Sequence, residues 1–169
     1  MGDINLVEMT LADLFTSTQG FHRGKMIAAL GIPILEVKYV ILPEKSLLVK
    51  ATIAGSEEDS YTTIIKFLNV SLRGKTEIET EHGVKRISQI KPRSKDVEVF
   101  CNCKSFYWSF NRQNAGVNAL YDKERNYRKE EAIGSPRGIS PNPAGVPGIC
   151  KHLIALSRYL ETNNIINKI

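Results

Sequence analysis

Cysteine, histidine and tryptophan are scarce in this chain: three, three and one among 169 residues. An odd number of cysteines cannot close into disulfides without a thiol left over, and a Cys101–Cys103 bridge would form a tight, strained ring. No apolar run approaches the length of a membrane span. The opening MGDINLVEMT lacks the basic and apolar regions of a signal peptide, and Leu6 stands where a myristoylation signal needs Ser or Thr. The expectation is a soluble protein made in a reducing cytoplasm, with no membrane partner. Phosphate-cradling glycine motifs are missing too, with no P-loop and no GxGxxG. An acidic excess is likewise absent: 23 Lys and Arg face 18 Asp and Glu, a formal charge of +5 that suits a solvated basic surface or an acidic partner such as nucleic acid.

What is present is enough apolar residue, 42%, for one ordinary globular domain. Thr10-Leu-Ala-Asp13 has the form of a capping box opening a short helix, and KMIAAL (25–30) forms another before Gly31 and Pro33 break it. The period then changes to two. LEVKYVIL (35–42), SLLVKATIA (46–54) and YTTIIKFLNVSL (61–72) read as strands of an antiparallel meander. KTEIETEHGVKRISQI (75–90) reads as an edge hairpin turning near His82-Gly83, and DVEVFCNC (96–103) as the last strand. The fold class is therefore α+β: a helix and β-meander region over 1–96, then a region over 97–169 joined to it by a metal site, in one compact unit.

The metal site is read from cysteine spacing. Alternation along a strand puts Val97, Val99, Cys101 and Cys103 on one face, with two thiols together at the strand's end. Pro147-Gly148 then turns the chain into a helix whose apolar stripe is Leu153, Leu156 and Leu160, and whose first turn holds Cys150 and His152. Exposed N–H groups at a helix start favour thiolate. Cys101, Cys103, Cys150 and His152 make a complete tetrahedral shell for structural Zn2+. The plainer reading is that the thiols are small buried hydrophobes and His152 an ordinary helix-start histidine. His22 and His82 have no such partners and read as surface or turn residues.

This C-x-C…C-x-H pattern has Phe106 three residues after the second cysteine and a Pro-Gly turn leading into Cys-Lys-His and an apolar helix. Over residues 97–160 it resembles the SWIM-type zinc finger. The resemblance implies zinc binding and a role in holding nucleic acid or protein, although the 46-residue spacer, 104–149, is longer than is usual for that family. RNYRKEEAIGSPRGISPNPAGVPGICKHLIAL is similar to a segment of small virion-associated proteins of tailed bacteriophages. That likeness implies a protein made in the host cytoplasm and carried in the virion, with other virion proteins or sister subunits as partners.

The spacer can be read from its own residues. Phe106, Tyr107, Trp108, Phe110, Leu120 and Tyr121 form an aromatic surface, expected on a helix opened by Ser105, that is mostly core with one or two rings left for a partner. DKERNYRKEE balances four acids against four bases and reads as a solvated helix. PRGISPNPAGVP is either a plain connector or an extended arm laid on a neighbouring subunit, in which case Tyr107, Trp108, Arg137, Pro141 and Pro143 are the contact residues. Lys85, Arg86, Lys91, Arg93 and Lys95 make a basic stretch without interleaved aromatics, which supports nonspecific phosphate contact only. A closed Cys3His shell leaves no coordination site for a reacting water, and no third residue is identifiable to orient a Cys–His dyad. The expected function is noncatalytic: a zinc-stabilised structural or assembly component of a phage particle, with a nucleic-acid-binding zinc module as the second reading.

Overall fold

The first helix, α1 (Leu11–Phe21), opens on a reciprocal cap: Asp13 N–H donates to Thr10 Oγ1 at 3.1 Å and Thr10 N–H to Asp13 Oδ2 at 3.0 Å. Leu11, Leu14, Phe15 and Thr18 fall on one side of it at helical spacing and are buried. The computed structural model describes residues 9–55, 59–127 and 141–169. A second helix, α2 (Arg23–Ala28), follows at once and ends in a turn at Gly31, whose φ is +74°.

Three strands, β1 (Ile34–Ile41), β2 (Leu47–Ala54) and β3 (Ser60–Phe67), form the expected antiparallel meander. Strand β2 buries Leu47, Val49, Ala51 and Ile53 in strict alternation, the signature of a sheet with one face on the core. Strand β3 ends at Phe67, short of the expected Leu72. Asn69 enters the left-handed region at φ +52°, and Val70 N–H then bonds Lys45 O at the β1–β2 turn.

The hairpin β4 (Thr76–Thr80) and β5 (Gly83–Ile87) lies at an edge as expected, turning at Glu81-His82 into Gly83 at φ +94°. It does not continue the meander in order. The sheet runs β5-β4-β1-β2-β3-β6, so the hairpin crosses to the far side of β1, where β4 pairs in parallel through Tyr39 and Thr80. The last strand, β6 (Val97–Cys101), returns to pair antiparallel with β3. Beyond it the edge is closed by residues 119–121: Val99 N–H donates to Ala119 O and Tyr121 N–H to Val99 O.

After β6 one helical run covers α3 (Lys104–Phe106), a π-helical stretch (Tyr107–Asn111) and α4 (Arg112–Gly116). Its cap is Cys103, two residues before the expected Ser105, and it ends before Leu120 and Tyr121. A short α5 (Lys123–Asn126) follows. The final helix, α6 (Lys151–Thr162), buries Leu153, Ile154, Leu156 and Leu160 and lies against β1, β3, β6 and α2. One cluster of buried apolar side chains runs from Leu11 to Ile166 and includes all three cysteines.

Candidate metal centre

Strand β6 delivers the first thiol by plain alternation: Val97, Val99 and Cys101 are buried and the residues between them are only partly so. Asn102 then ties the strand end to β3 twice, its N–H to Thr62 O at 3.2 Å and its Oδ1 accepting from Thr62 N–H at 2.9 Å. That clamp fixes where Cys103 leaves the sheet. Cys103 is extended (φ −74°, ψ 152°), and its Sγ accepts the Phe106 N–H at 3.3 Å, so the second thiol is itself the helix cap.

The other pair arrives from residues 141–149, where side-chain amides and hydroxyls replace secondary structure. Asn142 donates through Nδ2 to Ser109 O at 2.8 Å and Val146 O at 2.7 Å, and its Oδ1 lies 3.2 Å from His22 Nε2. Asn114 holds both sides of one peptide residue: its Nδ2 donates to Gly148 O at 2.8 Å, and Gly148 N–H donates to its Oδ1 at 2.9 Å. Ser17 Oγ donates to Pro147 O at 2.7 Å, and Thr18 Oγ1 accepts from Ile149 N–H at 2.9 Å. Position 148 requires glycine, since a Cβ there would sit 2.5 Å from the Phe110 ring and 2.7 Å from Thr18 Oγ1. Cys150 follows as the N-cap of α6, with His152 inside its first turn.

The result is four buried donors from two separate parts of the chain. The sulfurs of Cys101, Cys103 and Cys150 and one nitrogen of His152 lie within 4.8 Å of one another, and the cysteines are free thiols. His152 Nδ1 is the nitrogen that faces the sulfurs, 3.8 Å from Cys101 Sγ and 4.0 Å from Cys150 Sγ. A tetrahedral shell with metal–sulfur bonds of about 2.3 Å and metal–nitrogen bonds of about 2.0–2.1 Å sets sulfur and nitrogen about 3.6 Å apart. The two sulfur–nitrogen separations are within a few tenths of an ångström of that value and the widest donor pair, up to 4.8 Å, lies about 1 Å beyond it, so a modest contraction lets the donor set hold a metal ion.

Electrostatics show what the thiols face in that space. Burial pushes the Cys150 thiol up to about 12 and drives Cys101 well above the ordinary range, since an apolar surround disfavours thiolate. Cys103 is drawn far down, first by the Cys101 thiol donating to it and then by Cys150. A cation held at the centre would supply the charge that stabilises the remaining thiolates. The second nitrogen of His152, Nε2, is buried without a hydrogen-bond partner among the described residues, and Tyr61 lies over the ring at 4.6 Å between centroids.

The other residues singled out from the sequence are more scattered. Phe106 and Phe110 are fully buried, Tyr107 is half-buried, and Trp108 keeps 36% of its surface exposed with its ring edge-on to Tyr107. Pro141 and Pro143 are exposed, and Arg137 lies outside the described residues. Lys85, Arg86, Lys91 and Arg93 are exposed, yet Arg86 is engaged by Glu77 at 3.2 Å, and Lys95 is bound through Nζ to Asn69 O at 2.7 Å. His82 sits in the hairpin turn. His22, expected at the surface or in a turn, is half-buried at the α1–α2 junction, edge-on to Phe110 at 5.0 Å.

No protein-family model, curated protein or solved structure matches the chain. The functional reading therefore rests on these residues and their geometry. Thr18, Asn114 and Asn142, which aim the Cys150 arm, were not legible as site residues. Their partners lie from a few to more than 130 residues away, and no local spacing encodes such contacts.

Proposed function

We propose that the chain is a noncatalytic structural protein whose C-terminal helix is stapled to its sheet by zinc, and that it serves as an assembly component. The observation that carries the reading is the burial of three thiols and one imidazole nitrogen at the spacing of a single tetrahedral ion. Zinc is the proposed ion because a closed sulfur-rich tetrahedral set suits it, and such a set leaves no position open for a reacting water.

Placement in a tailed-phage particle rests on the sequence resemblance alone. Binding of nucleic acid is the second reading. It has less support, because two of its five candidate cations, Arg86 and Lys95, are already engaged within the chain.

Elemental analysis and unfolding test the staple together. Purified chain is expected to carry about one zinc, and Cys150→Ser or His152→Ala is expected to lose it and unfold the α6 region at lower denaturant. Less than about half a zinc per chain, with a chelator leaving the unfolding midpoint unchanged, overturns the proposal.

A further inference from the structure

The inference that follows from the charge of the shell rests on the metal reading above. Three thiolates and a neutral imidazole around a divalent ion leave one excess negative charge. That charge sits among residues no more than 3% exposed. An unbalanced buried charge is costly, so a counter-charge near the shell strengthens metal binding.

Helix α2 supplies a candidate. Lys25 is half-buried, and its Nζ donates to Ser105 Oγ at 2.6 Å while lying 5.4 Å over the Phe110 ring. Ser105 follows Cys103 by two residues, and Phe110 packs against Gly148, two residues before Cys150. The ammonium is thus held between the two arms that bring in Cys103 and Cys150. Burial draws its proton affinity down, Cys150 and Cys103 act to raise it again, and Lys151 opposes them. Lys25 has no carboxylate partner among the described residues.

We propose that Lys25 is the counter-charge of the metal centre, a positioning residue whose ammonium, held by Ser105 and Phe110, offsets the excess negative charge of a divalent ion bound by Cys101, Cys103, Cys150 and His152. It touches no ligand atom as a donor to the metal; it acts through the field at the thiolates.

The test is zinc affinity of the full chain, measured by competition with a chromophoric chelator for wild type, Lys25→Met, Lys25→Arg and Ser105→Ala. Lys25→Met keeps the length and removes the charge, and is expected to weaken zinc binding about tenfold or more. Lys25→Arg is expected to stay within about threefold of wild type. Ser105→Ala frees the ammonium without deleting it and is expected to fall between them. It also keeps the test informative should Lys25→Met fail to fold. A lysine that merely packs would instead lower the stability of the metal-free chain and leave zinc affinity alone. Wild type that binds zinc while Lys25→Met and Ser105→Ala bind within about twofold of it overturns this inference and spares the metal reading. Wild type that takes up no zinc overturns both.

Discussion

At the scale of single residues, the four candidate ligands depend on side chains outside the donor set. Asn114 acts as a substitute strand partner, satisfying both the N–H and the C=O of Gly148 where no second strand is available. It is fully buried, so water cannot replace it. Asn114→Ala leaves two buried backbone groups without partners, each costing about 1–3 kcal/mol, and is expected to lower stability by about 2–4 kcal/mol. Denaturant unfolding of the metal-free chain measures this directly, and a loss under about 1 kcal/mol would show that the arm is held elsewhere. Metal-free chain is the right sample, because a bound ion would hold Cys150 in place and mask the change. Of this centre, the four ligands were legible from the sequence because they share two short spacings and use every cysteine. The scaffold that aims them was not, because an amide reaching 34 residues along the chain leaves no pattern.

Elements were legible where a period could be read. The alternation of β2 and the capping box of α1 translate directly into buried faces and a helix start. The order of strands was less so, because nothing local tells a hairpin which edge to join, and β4 pairs with β1 through a single parallel bridge. The extension of β3 to Leu72 failed because Val70 keeps the apolar rhythm after the chain has already turned at Asn69. Ser105 looks like a cap, yet its hydroxyl is taken by Lys25 and the neighbouring thiol caps in its place.

Pairing between β3 and β6 also sets up a titration. Glu98 on β6 stands opposite Lys66 on β3, which is shared with Glu44 at 3.1 Å and Glu98 at 3.9 Å. Burial raises the Glu98 carboxyl above its ordinary value against the pull of Lys66, and Glu44 and Asp122 add to the rise. The folded state therefore holds this proton more tightly than the unfolded chain. The stability it contributes is full below the unfolded value near pH 4 and is lost as pH rises through the folded value. Glu98→Gln is accordingly expected to be at least as stable as wild type at pH 7, with that advantage shrinking toward pH 4. Unfolding midpoints at the two pH values decide it, and a variant clearly weaker at pH 7 would mean that the Lys66 pair outweighs the burial.

For the molecule as a whole, the described part of the 128–149 stretch is residues 141–149. From Asn142 onward the chain is locked to α1, to the π-helical stretch and to α4 by buried hydrogen bonds. Asn142 and Val146 are thus part of the scaffold of the candidate metal centre, and a deletion reaching them would damage that centre along with any docking arm. Residues 130–139 can be exchanged without touching those contacts. If they form an arm that docks on a neighbouring subunit, the fixed end at Asn142 lowers the entropy lost when the arm binds. Replacing 130–139 with Gly and Ser at equal length keeps the spacing and removes the side chains of that segment, Arg137 among them. The expected outcome is a chain that binds zinc and unfolds like wild type but no longer associates with sister subunits or with assembled particles. Sedimentation with the variant traced by mass spectrometry reads the association, and elemental analysis reads the metal. Full association of the exchanged chain would make the segment a connector. Nucleic-acid binding that weakens steeply with salt, and is lost on charge reversal at Lys91, Arg93 and Lys95, would move the partner surface to the basic stretch instead.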